Sequence, residues 1–139
     1  MKTLIQCDFD GTVTQKDTSF FLLDAFAQGD WRRVLREYKE RRISVGEFNT
    51  KAFAMVKEDK TTLLEELRGK VKVRSGFHEL VNYCQRKSFR FVIVSNGLDF
   101  YIKAVLEDLG LDSIEVHAAQ ASFHPEGMKV QYMGPDGKR

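Results

Sequence analysis

Two short apolar runs, at residues 3–8 and 89–94, show no regular alternation of apolar and polar residues. Runs of this kind are typical of strands buried on both faces of a parallel sheet. Each ends in a polar turn that contains glycine. Apolar residues at helical spacing precede and follow the second run: Phe77, Leu80, Val81 and Cys84, then Ile102, Val105, Leu106 and Leu109. This order predicts an α/β fold with parallel strands and helical crossovers.

The stretch between the two runs has a helical pattern throughout. Asp17 and Asp30 are candidate N-caps, and residues 44–47 and 62–65 have the spacing of capping boxes. These signals predict about four helices, whereas a minimal crossover needs only one. The surplus indicates a helical subdomain inserted after the first strand.

The chain therefore divides into an inserted helical cap, residues 15–70, and an α/β core formed by residues 1–14 and 71–139. The cap is expected to lie over the strand ends as a lid. Weak alternation in residues 120–133 around a Pro-Glu-Gly turn predicts a β-hairpin. A second turn is predicted at residues 134–137.

Composition and charge exclude several classes of protein. The 42% of hydrophobic residues can fill a core, and a net charge of +2 does not point to nucleic acid. No apolar run approaches the ~20 residues that cross a bilayer, and the first ends too early for a signal peptide. Cys7 and Cys84 lack metal-site spacing and indicate reduced thiols. We expect a soluble, cytoplasmic protein with no nucleic-acid or membrane partner.

Two further patterns have an ordinary structural explanation. A basic stretch interleaved with glutamates favours a solvated helix face, although Arg41 or Arg42 near the cap opening could still contact substrate. An aromatic series favours the core of the cap over a base-stacking surface: Phe20, Phe21, Phe26, Trp31, Phe48 and Phe53.

The residues that carry chemistry follow the first strand. Asp8 and Asp10 precede Gly11 at the carboxyl end of that strand, where open α/β sheets bind ligands. Two hard carboxylates suit Mg²⁺ together with a substrate phosphate. Alone, this pattern is equally typical of a turn with helix-capping acids. The second strand ends in Ser95-Asn96-Gly97, where a hydroxyl and backbone amides at a helix start can hold phosphate.

With these motifs, the sequence resembles the haloacid dehalogenase-like superfamily of aspartyl-phosphate phosphohydrolases. Residues 8–14, Asp-Phe-Asp-Gly-Thr-Val-Thr, match the first family motif, and Ser95-Asn96-Gly97 match the second. The insertion after the first motif is similar to the cap of the phosphoserine phosphatase branch, and the opening of the chain is similar to its methionine-salvage relatives. The resemblance implies a Rossmann-like parallel sheet core with an inserted helical cap.

The resemblance also implies roles for individual residues. Asp8 would be the nucleophile that takes the phosphoryl group, and Asp10 the general acid and base. The Asp8 carboxylate and the Asp10 backbone carbonyl would hold Mg²⁺. Ser95 would bind a phosphate oxygen with the amides of Asn96 and Gly97. Backbone groups of Phe9 and Asp10 complete the expected phosphate site.

Asp17 lies at the offset where phosphoserine phosphatases place a carboxylate that recognises the amino group of the substrate. It is equally suited to be the N-cap of the first cap helix. The expected substrate is a small phosphorylated metabolite, either phosphoserine-like or a methionine-salvage sugar or enol phosphate. The alternative function is a catalytically inactive or truncated module that binds a phosphorylated ligand or a partner protein.

Two elements of the family's site find no match. The lysine that pairs with the nucleophile cannot be assigned. The later metal-binding aspartates cannot be assigned either, because the only aspartate after Asp112 is Asp136, which lies in a predicted turn. In the family, the strand carrying those aspartates lies beside the first strand. We therefore expect a core that is incomplete at its C-terminus. A longer chain, self-association or another partner would then cover the first strand, whose apolar edge is otherwise prone to aggregation.

Overall fold

The computed structural model describes residues 2–132. Six helices and four strands form a mixed α/β fold, which confirms the predicted fold class. In chain order the elements are β1 (Leu4–Cys7), α1 (Thr18–Phe26), α2 (Trp31–Lys39), α3 (Val45–Phe53), α4 (Lys60–Leu67), α5 (Phe77–Arg86), β2 (Arg90–Leu98), α6 (Asp99–Asp108), β3 (Glu115–Ser122) and β4 (Lys129–Gln131).

The strands lie in the order β1-β2-β3-β4. β1 pairs in parallel with β2, with Leu4 opposite Arg90, and β2 pairs in parallel with β3. β4 pairs antiparallel with β3, with Ala121 opposite Val130, which confirms the predicted hairpin. The predicted turn at residues 134–137, with Asp136, lies outside the described residues.

Helices α5 and α6 are the crossovers between the parallel strands. Phe77 of α5 contacts Phe91 of β2 edge-on, at 6.1 Å between ring centroids. Ile93 and Ile102 are fully buried between these elements and their neighbours. Both helices begin and end close to where the apolar spacing predicts them.

Four helices, α1 to α4, stand between β1 and α5, and we call them the helical insertion. Its core contains Trp31, Phe48 and Phe53, with Phe20 packed against Trp31 at 5.4 Å between centroids. Phe21 was expected in this core but is 37% exposed. The insertion is closed at its base by an antiparallel bridge between Thr14 and Val73. The exact cap boundaries, residues 15 and 70, stay a prediction.

Local capping follows the sequence at most helix starts. Asp17 and Asp30 cap α1 and α2, and Ser44 with Glu47 forms a complete capping box at α3. The second predicted box, at residues 62–65, is wrong. Asp59 caps α4 by accepting a hydrogen bond from the Thr62 amide at 2.8 Å, so the helix starts about one turn earlier.

Two expectations about the strands need correction. β1 is not buried on both faces, because its residues are exposed or half-buried and Leu4 is 47% exposed. Within residues 2–132, β1 has only β2 as a neighbour. β2 does not end at Val94 but continues to Leu98, with a break in register between those residues.

No helix among the described residues combines the length and the apolar character needed to cross a membrane. Cys7 and Cys84 are both free thiols, Cys84 being buried and Cys7 half-buried. The basic residues of α2 are exposed, and Arg32 pairs with Asp24 at 2.9 Å.

Candidate active site

A cavity of about 270 Å³ lies where the carboxyl ends of β1 and β2 meet the helical insertion. The register pairs Cys7 with Ile93, so the segments that follow both strands reach the same edge of the sheet. Twelve residues line the cavity: Asp8, Asp10, Asp17, Ser19, Phe20, Tyr38, Val45, Phe48, Asn49, Ser95, Asn96 and Gly97. The structure thus brings together all the predicted site residues except Phe9.

Asp8 stands directly after β1 and is exposed. Its Oδ1 accepts a hydrogen bond from the Phe9 amide at 2.8 Å. The Phe9 side chain is fully buried, so only its backbone can take part in a phosphate site. Gly11, at φ +76°, is in the left-handed region that glycine adopts without strain, and this lets the chain turn sharply after the two carboxylates.

Asp10 is held on both carboxylate oxygens. Oδ1 accepts a hydrogen bond from the amide of Thr18 in α1, at 2.9 Å, and Oδ2 accepts one from the hydroxyl of Tyr101 in α6. Burial raises the pKa of Asp10 to about 6, and the nearby charge of Asp17 acts in the same direction. Asp10 therefore holds a proton more readily than an ordinary aspartate does.

Ser95, Asn96 and Gly97 belong to the irregular end of β2, and not to a turn at a helix start as expected. α6 begins only at Asp99, and the Gly97 amide donates to Ser95 Oγ at 2.9 Å. Ser95 and Asn96 lie within the break in the β2 register, between Val94 and Leu98, and both line the cavity.

Asp17 lies on the cavity wall and also caps α1, accepting a hydrogen bond from the Phe20 amide at 3.0 Å. Burial is the main reason that the pKa of Asp17 is raised, and the charge of Asp8 adds to the effect. The capping role is thereby confirmed, while the substrate-binding role stays a prediction.

Asn49 connects the insertion to the second motif, and the sequence analysis did not find it. Its Nδ2 donates to the Asn96 carbonyl at 2.7 Å and to the Tyr132 hydroxyl at 2.6 Å. Asn49 is only 4% exposed. The signal available in the sequence was the position of this polar residue, between Phe48 and the apolar pair Ala52 and Phe53.

Tyr101 and Ser19 were also missed. Tyr101 is fully buried on α6, and its hydroxyl lies 2.7 Å from Ser19 Oγ as well as contacting Asp10. Nothing in the sequence separates Tyr101 from the other core aromatics, because its partners are distant along the chain.

The cavity wall is acidic and aromatic. Three aspartates line it, whereas none of the twelve described lining residues is Lys, Arg or His. Neither Arg41 nor Arg42 is among them, and Arg42 pairs with Glu40 at 3.2 Å. Among residues 2–132, no group of three or more His, Cys, Asp or Glu side chains is arranged to hold a metal ion.

A sequence model described as haloacid dehalogenase-like hydrolase matches residues 5–132. Curated relatives include 2-hydroxy-3-keto-5-methylthiopentenyl-1-phosphate phosphatases. The Lysinibacillus sphaericus protein is 32% identical over 95% of this chain and 58% of its own length, and the Geobacillus kaustophilus protein is 34% identical over 91% and 57%. This chain thus spans less than two thirds of these relatives.

Solved structures with the same fold include a phospho-aspartyl intermediate analogue of phosphoserine phosphatase. Its TM-score is 0.72 at 20% identity, covering 95% of this chain and 64% of that one. A HAD family hydrolase from Salmonella enterica serovar Typhi has a TM-score of 0.75 at 15% identity, covering 91% and 43%.

Proposed function

The chain belongs to the haloacid dehalogenase-like hydrolase family, and from this premise we propose that it hydrolyses phosphomonoesters through an aspartyl-phosphate on Asp8. The observation that carries the proposal is that Asp8, Asp10 and Ser95 line one cavity at the ends of two parallel strands. Capping of α1 accounts for contacts of Asp17 and Asp10 with the Phe20 and Thr18 amides, but it does not require Asp8 and Ser95 to meet them at one cavity.

In the first step, a carboxylate oxygen of Asp8 attacks phosphorus, and the bond from phosphorus to the ester oxygen breaks. Asp10 gives its proton to the leaving oxygen. In the second step, Asp10 takes a proton from water as that water attacks phosphorus, and the bond to Asp8 breaks to release inorganic phosphate. Splitting the displacement in two lowers each barrier, and an acid–base group of this kind contributes about 10²–10⁴-fold.

Ser95 donates its hydroxyl hydrogen to a phosphate oxygen in this proposal. Its Oγ already accepts from the Gly97 amide at 2.9 Å, which fixes the oxygen and leaves the hydrogen free to face the substrate. Donors aimed at the equatorial phosphate oxygens stabilise charge that develops in the transition state.

Mg²⁺ fits the donors that the chain offers here. The ion prefers hard oxygen ligands and usually takes one or two protein carboxylates, the rest being substrate phosphate and water. The exposed Asp8 carboxylate and the Asp10 backbone carbonyl would hold it. When bound, it neutralises charge between an anionic nucleophile and an anionic phosphate.

The cavity wall favours one of the two substrate classes. Phosphoserine carries an ammonium group, for which Asp17 is a suitable partner, but also a carboxylate, which would have no cationic partner among the described lining residues. Phe20, Tyr38 and Phe48 instead offer an apolar surface to the organic part of the substrate. We therefore propose a substrate of the kind named for the curated relatives, 2-hydroxy-3-keto-5-methylthiopentenyl-1-phosphate. Asp17 is then placed to accept a hydrogen bond from a substrate hydroxyl.

Phosphate release from an aryl phosphate, with and without EDTA, tests the reaction. We expect turnover that EDTA abolishes and added Mg²⁺ restores. Asp8→Asn should lower kcat by about 10³-fold or more, the scale of a lost nucleophile, while the exposed Asp112→Asn serves as a control without effect. Phosphate binding without any turnover would contradict the enzyme and support the alternative of a binding module.

Competing substrates test the specificity. The methylthiopentenyl phosphate should be hydrolysed with a kcat/KM at least about tenfold above that of phosphoserine, since an unpaired charge is costly to bury. A preference for phosphoserine would contradict the proposed substrate and leave the reaction type standing.

A further inference from the structure

A buried chain of hydroxyl groups runs behind the Asp10 carboxylate. Tyr101 contacts Asp10 Oδ2 on one side and lies 2.7 Å from Ser19 Oγ on the other. Tyr101 is fully buried and Ser19 is 6% exposed. Ser19 and Asp10 both line the cavity, whereas Tyr101 does not.

The hydrogen bonds from Ser19 through Tyr101 to Asp10 have a defined direction when Asp10 is ionised. A carboxylate can only accept, so the single hydrogen of the Tyr101 hydroxyl is donated to Asp10. The Ser19 hydroxyl must then donate to the Tyr101 oxygen. The Thr18 amide donates to the other Asp10 oxygen at 2.9 Å, so both oxygens are fixed.

The lack of a side chain at Gly97 leaves space for the Asp10 carboxylate and the Tyr101 hydroxyl. A Cβ placed on Gly97 would lie 2.5 Å from Asp10 Oδ2 and deep inside the van der Waals radius of the Tyr101 hydroxyl. The glycine of the second motif therefore makes room for the contact between Tyr101 and Asp10, independently of any backbone requirement.

We propose that Tyr101, supported by Ser19, is a positioning residue that holds the Asp10 carboxyl at the cavity wall for proton transfer to the leaving oxygen. The inference rests on the proposed function of Asp10. It adds a consequence for the fold: Thr18 and Ser19 belong to the first turn of α1 and Tyr101 to α6, so the placement of Asp10 depends on the helical insertion and the core together.

Leaving-group dependence tests the proposal. A nitrophenolate departs without a proton, whereas a primary alkoxide requires one, so misplacing the acid harms only the alkyl ester. We expect Tyr101→Phe to lower kcat/KM for a primary alkyl phosphate by about 10- to 100-fold and for p-nitrophenyl phosphate by less than about threefold. The parameter kcat/KM reports only the steps up to formation of the aspartyl-phosphate, so the later role of Asp10 in hydrolysis does not enter the comparison.

Matched variants separate positioning from structure. Ser19→Ala should give a smaller loss with the same selectivity for the alkyl ester. Tyr83→Phe removes a hydroxyl from a 45% exposed tyrosine on α5 and should change neither substrate. Equal losses on both esters for Tyr101→Phe would overturn the proposal, because a purely structural role harms both reactions alike.

A stability measurement tests the contact between Tyr101 and Asp10 even if the chain shows no turnover. A lack of turnover would count against the proposed function and not against this contact. Urea unfolding of Asp10→Ala, Tyr101→Phe and the double variant forms a cycle. The double variant should lose less stability than the two single losses together, as expected for groups in contact. Strict additivity would overturn the proposed contact.

Discussion

The two halves of the site differ in how completely this chain encloses them. Asp10 is half-buried, accepts hydrogen bonds on both oxygens and is held by helices from the insertion and the core. Asp8, two positions earlier, is exposed directly after β1, an edge strand of the described sheet whose Leu4 is 47% exposed. The proposed acid–base group, Asp10, is thus held by residues within 2–132, while the same residues leave the proposed nucleophile, Asp8, exposed.

Buried apolar packing and cavity-lining polar groups are divided unevenly between the helical insertion and β1. The helical insertion buries its own apolar residues and contributes Asp17, Ser19 and Asn49 to the cavity. β1 leads directly into Asp8, the proposed nucleophile, while making sheet hydrogen bonds with β2 alone among the described strands. An edge of this kind offers unpaired backbone groups to another chain.

The largest expected effect comes from truncating matched apolar residues in the two regions. Phe53→Ala removes a fully buried ring from the insertion and should cost about 3–5 kcal/mol in the free energy of unfolding. Leu4→Ala at the open edge should cost less than about 1 kcal/mol. Urea denaturation measures both, and similar losses would contradict the contrast between the regions.

Gly97→Ala should disrupt the enclosed half of the site, around Asp10, directly. The new methyl group cannot coexist with the contact between Tyr101 and Asp10, and overpacking of this kind costs about 1–3 kcal/mol. Gly11→Ala is the comparison on the open side, because its Cβ would meet no atom within 4 Å and its cost of about 1 kcal/mol arises from the positive φ alone. Thermal unfolding together with kcat for an alkyl phosphate should show the larger loss in Gly97→Ala.

Asn49→Ala should have the smallest effect of the three. It removes the amide that joins α3 to the Asn96 carbonyl and to Tyr132, at a cost of about 1–2 kcal/mol. The neighbouring Thr50→Ala is the control, since that exposed hydroxyl bonds only to Gly46 within its own helix. If Asn49→Ala and Thr50→Ala unfold at the same urea concentration, the junction contributes nothing to stability.

Much of the fold was predictable because its signals are local. The spacing of Phe77 to Cys84 and of Ile102 to Leu109 predicted α5 and α6, and the Ser44 capping box marked the start of α3. The box at residues 62–65 failed because Asp59, a stronger cap three residues earlier, accepts a hydrogen bond from the Thr62 amide and so places Thr62 inside the helix.

The site was only partly predictable for the same physical reason. Asp8, Asp10 and Ser95 follow apolar strands, and parallel strands bring their carboxyl ends to one edge. Tyr101 and Asn49 act on partners far away in the sequence, Asp10 and Asn96, so no local pattern reveals them. The exposure of β1 depends on which strands pair, which the sequence suggested only through the resemblance.

The bridge at the base of the insertion bears on how the chain folds. β1 can pair with β2 only after a long intervening segment has been brought back, and closing a flexible loop costs more entropy as the loop grows. The bridge from Thr14 to Val73, with the backbone bond from the Gln15 amide to the Lys72 carbonyl at 2.8 Å, shortens that loop once the insertion has formed. We therefore expect the insertion to order before β1 docks, so that Asp8 is among the last groups to reach its place.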